Sequence, residues 1–233
     1  MVQLSKDRNM TISKTKTKAL LFNPLRIYDF SPQLSIEEGS YVDVVEEQKI
    51  LGHIIRSDMK TISNTENICK KAFKRMWVLR RLKALGCPIP ELIDVLKQQV
   101  ISVCEGSVAY WGPMITKSES NMLERCLKTG LHIIYQEQYV NFSNALILAN
   151  MKSLKIRRLE AITRFSKKAL SSDKYTNWFQ KSDPTSTRLR WRPSAQLKPV
   201  TCRTQRYKKS SLPLMTRLLA WHPPLKYTAL DLA

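Results

Sequence analysis

The stretch that decides the fold is residues 63–86, which read SNTENICKKAFKRMWVLRRLKALG. Apolar residues recur there at intervals of three and four, the spacing that places side chains on one face of a helix; they are Ile68, Ala72, Met76, Leu79 and Leu82. Ser63 and Glu66 have the spacing of a capping box, and Gly86 followed by Pro88 and Pro90 is typical of a helix end. The stretch therefore predicts an amphipathic helix that begins at Ser63 and ends before Gly86.

Helical patterns continue beyond this helix. Pro90 suits the first turn of a second helix, whose apolar stripe comprises Leu92, Val95, Leu96, Val100, Val103 and Cys104. Thr116 and Glu119 repeat the capping-box spacing and predict a third helix, with Met122, Leu123, Cys126, Leu127, Ile133 and Ile134 as its apolar residues. A fourth helical segment is predicted from Phe142 to Leu148.

The last clear helix is predicted from about Leu154 to Leu170. Its apolar residues are Leu159, Ile162, Phe165 and Ala169, with Arg157, Arg158, Arg164, Lys167 and Lys168 around them. The composition then shifts, because no acidic residue lies between Asp183 and Asp231 and that stretch holds six of the eleven prolines. Residues 173–233 are therefore predicted to form a basic, poorly ordered tail.

Residues 1–60 show strand patterns instead. Leu34, Ile36, Val42 and Val44 are spaced by two around a turn at residues 37–40, and an apolar piece covers residues 50–55. We expect a small antiparallel sheet. The predicted fold is α+β and mainly helical, divided into a β segment (1–60), a helical bundle (61–172) and the tail (173–233).

The charge is strongly positive: 39 lysines and arginines stand against 19 acidic residues, which gives a net charge of +20. Such a surface attracts polyanions and releases counterions when they bind, so RNA, DNA or their hybrid is the favoured partner. An anionic membrane surface is the alternative. No apolar run approaches the roughly 18 residues that span a bilayer, and no signal peptide is evident. We expect an intracellular protein, nuclear or cytoplasmic.

The sequence contains no motif of a catalytic or metal site. The cysteines are widely spaced with no Cys-x-x-Cys pair, which predicts neither a zinc site nor a disulfide framework. A Gly-rich phosphate loop, His-Glu-x-x-His and Gly-x-Ser-x-Gly are also absent from the sequence. We expect no cofactor and no enzymatic activity from this chain. The sequence does not indicate the oligomeric state.

The candidate binding residues are basic. Lys70, Lys74 and Arg81 share the helix face opposite the apolar stripe, where they would follow a phosphate backbone or simply be solvated. In the tail, cations flank aromatic rings, an arrangement that suits single-stranded nucleic acid; these residues are Arg190 and Arg192 around Trp191, and Arg206 and Lys208 around Tyr207. Trp77 and Trp111 could stack on bases, but both lie within apolar surroundings, which favour packing in the core.

Several ordered segments resemble a known family. In chain order, these segments are Ser13-x-x-Lys16-Thr17-Lys18-x-x-x-Phe22, Lys49-Ile50-Leu51-Gly52 followed by Asp58, Leu79-Arg80-Arg81-Leu82-Lys83, Ser102-Val103-x-Glu105 with Trp111, Leu123-Glu124-Arg125, Arg157-Arg158 and Cys202-Arg203-Thr204. Together they resemble the C-terminal part of reverse transcriptases from non-LTR (LINE-type, Jockey/CR1/RTE-like) retrotransposons. The sequence departs from the family pattern at Ser13, Gly106 and Leu127.

The resemblance implies a palm remnant at 1–60, a thumb-like domain at 61–172 and the closing segment of the element. It places Lys16 beside the incoming nucleotide's phosphates, although Lys14, Lys16 and Lys18 could instead simply be solvated. Lys18 is a further candidate for nucleic-acid binding, and Leu51 and Gly52 correspond to the primer grip. The family's catalytic Asp-Asp box precedes the Lys16 segment, and no two aspartates are adjacent in this sequence. Because nucleotidyl transfer needs clustered carboxylates to hold two metal ions, Mg²⁺ is expected only in the full-length enzyme. The chain would bind nucleic acid without copying it. Alternatively, it is a decayed or repurposed reading frame that serves protein contacts or has no function.

Overall fold

The structure is a computed structural model that describes residues 13, 16–22, 34–37, 40–180, 197–198 and 200–220. The chain divides into two compact units, residues 1–70 and 71–233. The described strands lie in the first unit and most helices in the second, so the predicted α+β, mainly helical architecture is confirmed. The three-part division at residues 60 and 172 stays a prediction.

The described strands of the first unit are β1 (Lys18–Leu20), β2 (Leu34–Glu37), β3 (Ser40–Val45), β4 (Glu47–Ile50) and β5 (His53–Arg56). Among the described residues, β3 lies between the other two strands of a mixed sheet, parallel to β1 and antiparallel to β2. The β4–β5 pair forms a separate antiparallel hairpin. The expectation of an antiparallel sheet was therefore wrong for β1, because apolar spacing shows which residues share a face but not the direction of the partner strand.

The hairpin turns at Leu51 and Gly52, between the paired residues Ile50 and His53. Both turn residues have positive φ, 48° at Leu51 and 87° at Gly52. This is the backbone of a two-residue turn whose twist matches that of the strands, and it favours Asn-Gly over Leu-Gly. The tip of this hairpin therefore holds a leucine with a strained backbone.

Helix α1 spans Ile62–Ala84. The predicted capping box at Ser63 and Glu66 was wrong, because the helix begins one residue before Ser63 and the Ser63 hydroxyl accepts a hydrogen bond from Arg56. The predicted end was correct. Gly86 has φ of +79°, its amide donates to the Lys83 carbonyl, and the Cys87 amide donates to the Leu82 carbonyl. These two bonds form a Schellman motif, which requires a left-handed residue at Gly86.

The later helices are α2 (Ile89–Val95), α3 (Ser102–Glu105), α4 (Val108–Trp111), α5 (Lys117–Tyr135), α6 (Phe142–Leu148), α7 (Leu154–Leu170), α8 (Gln205–Lys208) and α9 (Ser211–Ala220). The bounds of α6 and α7 match the predicted ones, and the predicted Thr116–Glu119 capping box is confirmed in both of its hydrogen bonds. The core of the second unit includes the fully buried Met76, Leu79, Leu92, Leu96, Val100, Trp111, Leu123, Leu127, Leu131 and Ile134. Each buried side chain of this size contributes about 1.5–3 kcal/mol.

A π-helical segment, Leu96–Ile101, joins α2 to α3 where the sequence predicted one regular helix. Leu92, Leu96, Val100 and Cys104 are buried at intervals of four. At about 3.6 residues per turn, three such intervals would rotate the stripe by roughly 120° on an α-helix. The wider π turn counters that rotation and keeps the four side chains in the core.

The described part of the predicted tail contains structure that the sequence did not indicate. Helix α9 packs against α7, where the buried side chains Ile162, Ala169, Phe179, Leu197 and Met215 form a cluster. The apolar residues Leu212, Leu214, Leu218 and Leu219 of α9 line the same cluster. Arg190 and Arg192 lie outside the described residues.

Candidate nucleic-acid interface

The hairpin tip is fixed to the first turns of α1 by two asparagines. The Ile54 amide donates to Asn64 Oδ1 at 3.1 Å, and Asn67 Nδ2 donates to the Gly52 carbonyl at 3.3 Å. Asn64 is buried, whereas Leu51 is 96% exposed. The arrangement therefore presents the Leu51 side chain to solvent on a turn whose backbone is held in place.

Below the tip, Arg56 and Asp58 form an ion pair that organises the end of β5. Arg56 Nε donates to Asp58 Oδ1 at 3.1 Å, and the Lys60 amide donates to the same oxygen at 3.0 Å. The hydrogen bond from Arg56 holds the pKa of the Asp58 carboxyl well below its usual range, although burial opposes the shift. Glu47 Oε2 lies 3.4 Å from Arg56 Nη1, so the guanidinium also pairs with the carboxylate of Glu47. Asp58 thus has a structural role at the base of the hairpin.

Lys16 and Lys18 are both exposed. The Ser13 carbonyl accepts hydrogen bonds from the Lys16 amide, the Thr17 amide and the Thr17 hydroxyl, at 3.3, 3.0 and 2.8 Å. This turn leads directly into β1, where Lys18 pairs with Asp43 of β3. Both lysine side chains are therefore exposed to solvent, and a contact of either with a phosphate stays a prediction.

The outer face of α1 is basic. Lys70, Lys74 and Arg81 are exposed, while Ile68, Ala72, Met76 and Leu79 on the opposite side are buried. The predicted division of the helix into an apolar and a basic face is therefore confirmed. Arg75, by contrast, uses its guanidinium to bond the Gln99 carbonyl of the π-helical segment at 3.0 Å.

The two tryptophans differ in environment. Trp111 is buried as predicted, and its indole nitrogen donates to the Gly106 carbonyl at 2.9 Å. For Trp77 the prediction of core packing was wrong, because its side chain is 66% exposed. That prediction rested on the apolar neighbours of Trp77 in the sequence, Met76, Val78 and Leu79. The helical spacing of three from Lys74 and four to Arg81 already placed Trp77 on the basic face.

Several residues of the resembling segments make polar contacts inside the second unit. Arg157 pairs with Glu105 through two hydrogen bonds, which raise the pKa of Arg157. Glu124 accepts the Lys155 amide at 2.6 Å at the start of α7, and burial raises the pKa of its carboxyl. Arg158 is buried and donates to the Ser120 hydroxyl at 2.8 Å. These polar residues position α3, α5 and α7, a role that their sequence did not indicate.

The predicted basic residues of the tail divide between described and undescribed segments. Arg206 and Lys208 lie on the short helix α8, and the Lys208 side chain is exposed. The Lys208 carbonyl accepts a hydrogen bond from Arg217 of α9 at 3.1 Å, which connects α8 to the α7–α9 cluster. Tyr207, between the two, is 44% exposed.

Comparison of the chain with protein-family models, with curated proteins and with solved structures found no match in any of the three. Among the described residues, no group of three or more His, Cys, Asp or Glu side chains is placed to hold a metal ion. None of the described helices is long and apolar enough to cross a membrane. Within the first unit, the candidate binding groups are the exposed Lys16, Lys18 and Leu51. Along helix α1, they are the exposed cations and the exposed indole of Trp77.

Proposed function

We propose that this chain is a C-terminal fragment of a retrotransposon RNA-directed DNA polymerase that binds RNA, DNA or their hybrid with little sequence preference and does not synthesise DNA. The ordered segments that resemble non-LTR reverse transcriptases support the descent. The net charge of +20 supports a polyanionic partner. In this proposal, residues 1–60 are a palm remnant and the helices that follow are a thumb.

The observation that carries the binding proposal is the exposed face of α1. Lys70, Lys74 and Arg81 project from a helix whose opposite face is buried, so their positions are fixed by the fold. Across residues 62–84 this helix has seven basic residues and a single acidic one, Glu66. Cations held along a rigid rod contact phosphates and give affinity without reading bases.

The test is a salt titration of binding to a labelled RNA, with a variant in which Lys70, Lys74 and Arg81 are changed to alanine. Each lost phosphate contact should reduce the slope of log affinity against log salt by about 0.7–0.9. The matched control changes the exposed Lys117, Lys128 and Lys168, which removes the same charge elsewhere. An unchanged slope in the first variant, or an equal reduction in the control, would contradict the proposal.

A second experiment addresses synthesis. Primer extension with the purified chain and Mg²⁺ should yield no incorporation, because no adjacent aspartates are present to hold a metal pair. Incorporation that survives further purification of the chain would refute this part of the proposal.

The alternative is a repurposed reading frame whose helices serve protein contacts. The observation that favours it is the apolar exposure at and before α6, where Val140 and Ile147 are each 76% exposed and Leu148 is 55% exposed. These exposed apolar side chains lie close together in the sequence, and contiguous exposed apolar patches mark interaction surfaces. Self-association abolished by Ile147→Asp, combined with no salt-dependent RNA binding, would favour this alternative.

A further inference from the structure

We infer that Trp77 is a stacking site for an unpaired base, so that the basic face of α1 binds single-stranded nucleic acid more tightly than a blunt duplex. The inference rests on the proposed function and deepens it, because cations alone do not distinguish the two forms. It assigns the interface an aromatic contact between Lys74 and Arg81.

The position of Trp77 on the helix is the first argument. At about 100° per residue, Lys74, Trp77 and Arg81 lie within roughly 60° of arc, and the buried Ala72 and Leu79 lie on the opposite side. The rise of about 1.5 Å per residue separates Lys74 from Arg81 by roughly 10 Å along the axis. The indole lies between two cations on one exposed stripe.

The exposure of Trp77 is the second argument. Its side chain is 66% exposed, compared with 1% for Trp111 and 44% for Trp178, whose ring lies 4.7 Å from that of Tyr175. Among the described residues, no ring contact of Trp77 is found. An indole exposed to water lacks the favourable free energy that burial of its apolar surface would give. A ligand with a flat apolar face would cover the ring and provide that free energy on binding.

Charge decides which ligand fits. A nucleotide chain carries a phosphate on each side of every base, so a base stacked on Trp77 places phosphates within reach of Lys74 on one side and Arg81 on the other. An acidic peptide would satisfy the cations but supplies no planar ring between its charges. In a duplex the bases are stacked on one another, and the indole has no face to contact except at an end.

The variants Trp77→Leu and Trp77→Phe separate stacking from simple apolarity. We expect Trp77→Leu to weaken binding of a 12-nucleotide single strand about tenfold and Trp77→Phe to weaken it by less than about threefold. Binding of a blunt hairpin duplex should change by less than about twofold. Trp178→Leu, at another exposed tryptophan, is the matched control and should leave both affinities unchanged.

Because Trp77 is exposed, these variants should keep the thermal midpoint of the wild-type chain, which circular dichroism checks. Equal losses for single strand and duplex, or no loss in Trp77→Leu, would overturn the inference and leave the salt-dependent binding of the proposed function intact. Absence of binding to either form by the wild-type chain would overturn both. A wild-type dimer that Trp77→Leu converts to a monomer with unchanged single-strand affinity would assign Trp77 to self-association instead.

Discussion

Arg157 on α7 holds Glu105 at the end of α3 with two hydrogen bonds, one of which joins Nη2 to Oε2 at 2.9 Å. The two residues are 52 positions apart in the sequence and both are partly exposed. A paired fork of this kind fixes the relative orientation of the two side chains as well as their distance. It connects the short helices after the π-helical segment to the long helix α7.

Replacing Glu105 by alanine should therefore destabilise the second unit. We expect a loss of about 1–2 kcal/mol in the free energy of unfolding, because charge-assisted hydrogen bonds are lost from a partly exposed site. Urea denaturation followed by circular dichroism measures it. The control is Asp94→Ala, which breaks the exposed Asp94–Lys97 pair and should cost less than about 0.5 kcal/mol. Equal effects would show that the Arg157 pair has no special contribution.

The Arg56–Asp58 pair predicts a pH dependence in the first unit. Since the folded pKa of Asp58 lies below the unfolded value of about 3.9, its contribution is fully present above that value and is lost as the pH falls toward the folded pKa. Asp58→Asn should reduce the hydrogen-exchange protection of the β4–β5 amides at pH 7 by about 1–3 kcal/mol. The difference in protection between variant and wild type should shrink as the pH falls from about 5 to about 2, because the Asp58 carboxylate of the wild type becomes protonated.

Arg56→Met is the matched variant for the same pair, because it removes the hydrogen bond that lowers the pKa of Asp58. It should show the same reduced dependence of hairpin protection on acid. If Asp58→Asn kept the full acid sensitivity of the wild type, another carboxyl would have to account for it.

Leu51→Asn should stabilise the hairpin while weakening nucleic-acid binding. Asparagine tolerates the positive φ of 48° better than leucine does, which favours the folded hairpin by about 1 kcal/mol. The same change removes the 96% exposed side chain that the resemblance places in the primer grip. Hydrogen exchange and RNA binding should therefore change in opposite directions. Val140→Asn controls for loss of an exposed apolar side chain, and unchanged affinity in Leu51→Asn would remove Leu51 from the interface.

Gly86→Ala tests the end of α1. A Cβ at this position would meet no atom within 4 Å, so the substitution causes no steric clash. It should lower the free energy of unfolding by about 1 kcal/mol, because alanine disfavours a φ of +79°. Thermal unfolding measures it. Gly86→Asn should lie closer to the wild type than Gly86→Ala, because asparagine is the residue other than glycine that most often ends a helix in this conformation. The reverse order would indicate that the Schellman geometry is not what ends the helix.

The candidate site was partly predictable. The basic face of Lys70, Lys74 and Arg81 followed from helical spacing, because exposure alternates with burial around any amphipathic helix. Trp77 was assigned to the core because its neighbours in the sequence are apolar, although its helical spacing placed it among the cations. Arg158 was assigned to the basic surroundings of its helix and is buried. Burial of a single large side chain depends on which element covers it, and that element is remote in sequence.

The sequence by itself determined the features that depend on nearest neighbours along the chain. The Thr116–Glu119 cap, the end of α1 at Gly86 and the span of α7 are set by side chains within a few residues of the backbone groups that they satisfy. Tertiary structure alone decided the parallel pairing of β1 with β3, the π-helical segment, the contact of α9 with α7 and the Arg157–Glu105 pair. Each of these joins residues that are distant in sequence or fits a helix to surfaces packed against it. Their energy therefore exists only once those surfaces have come together.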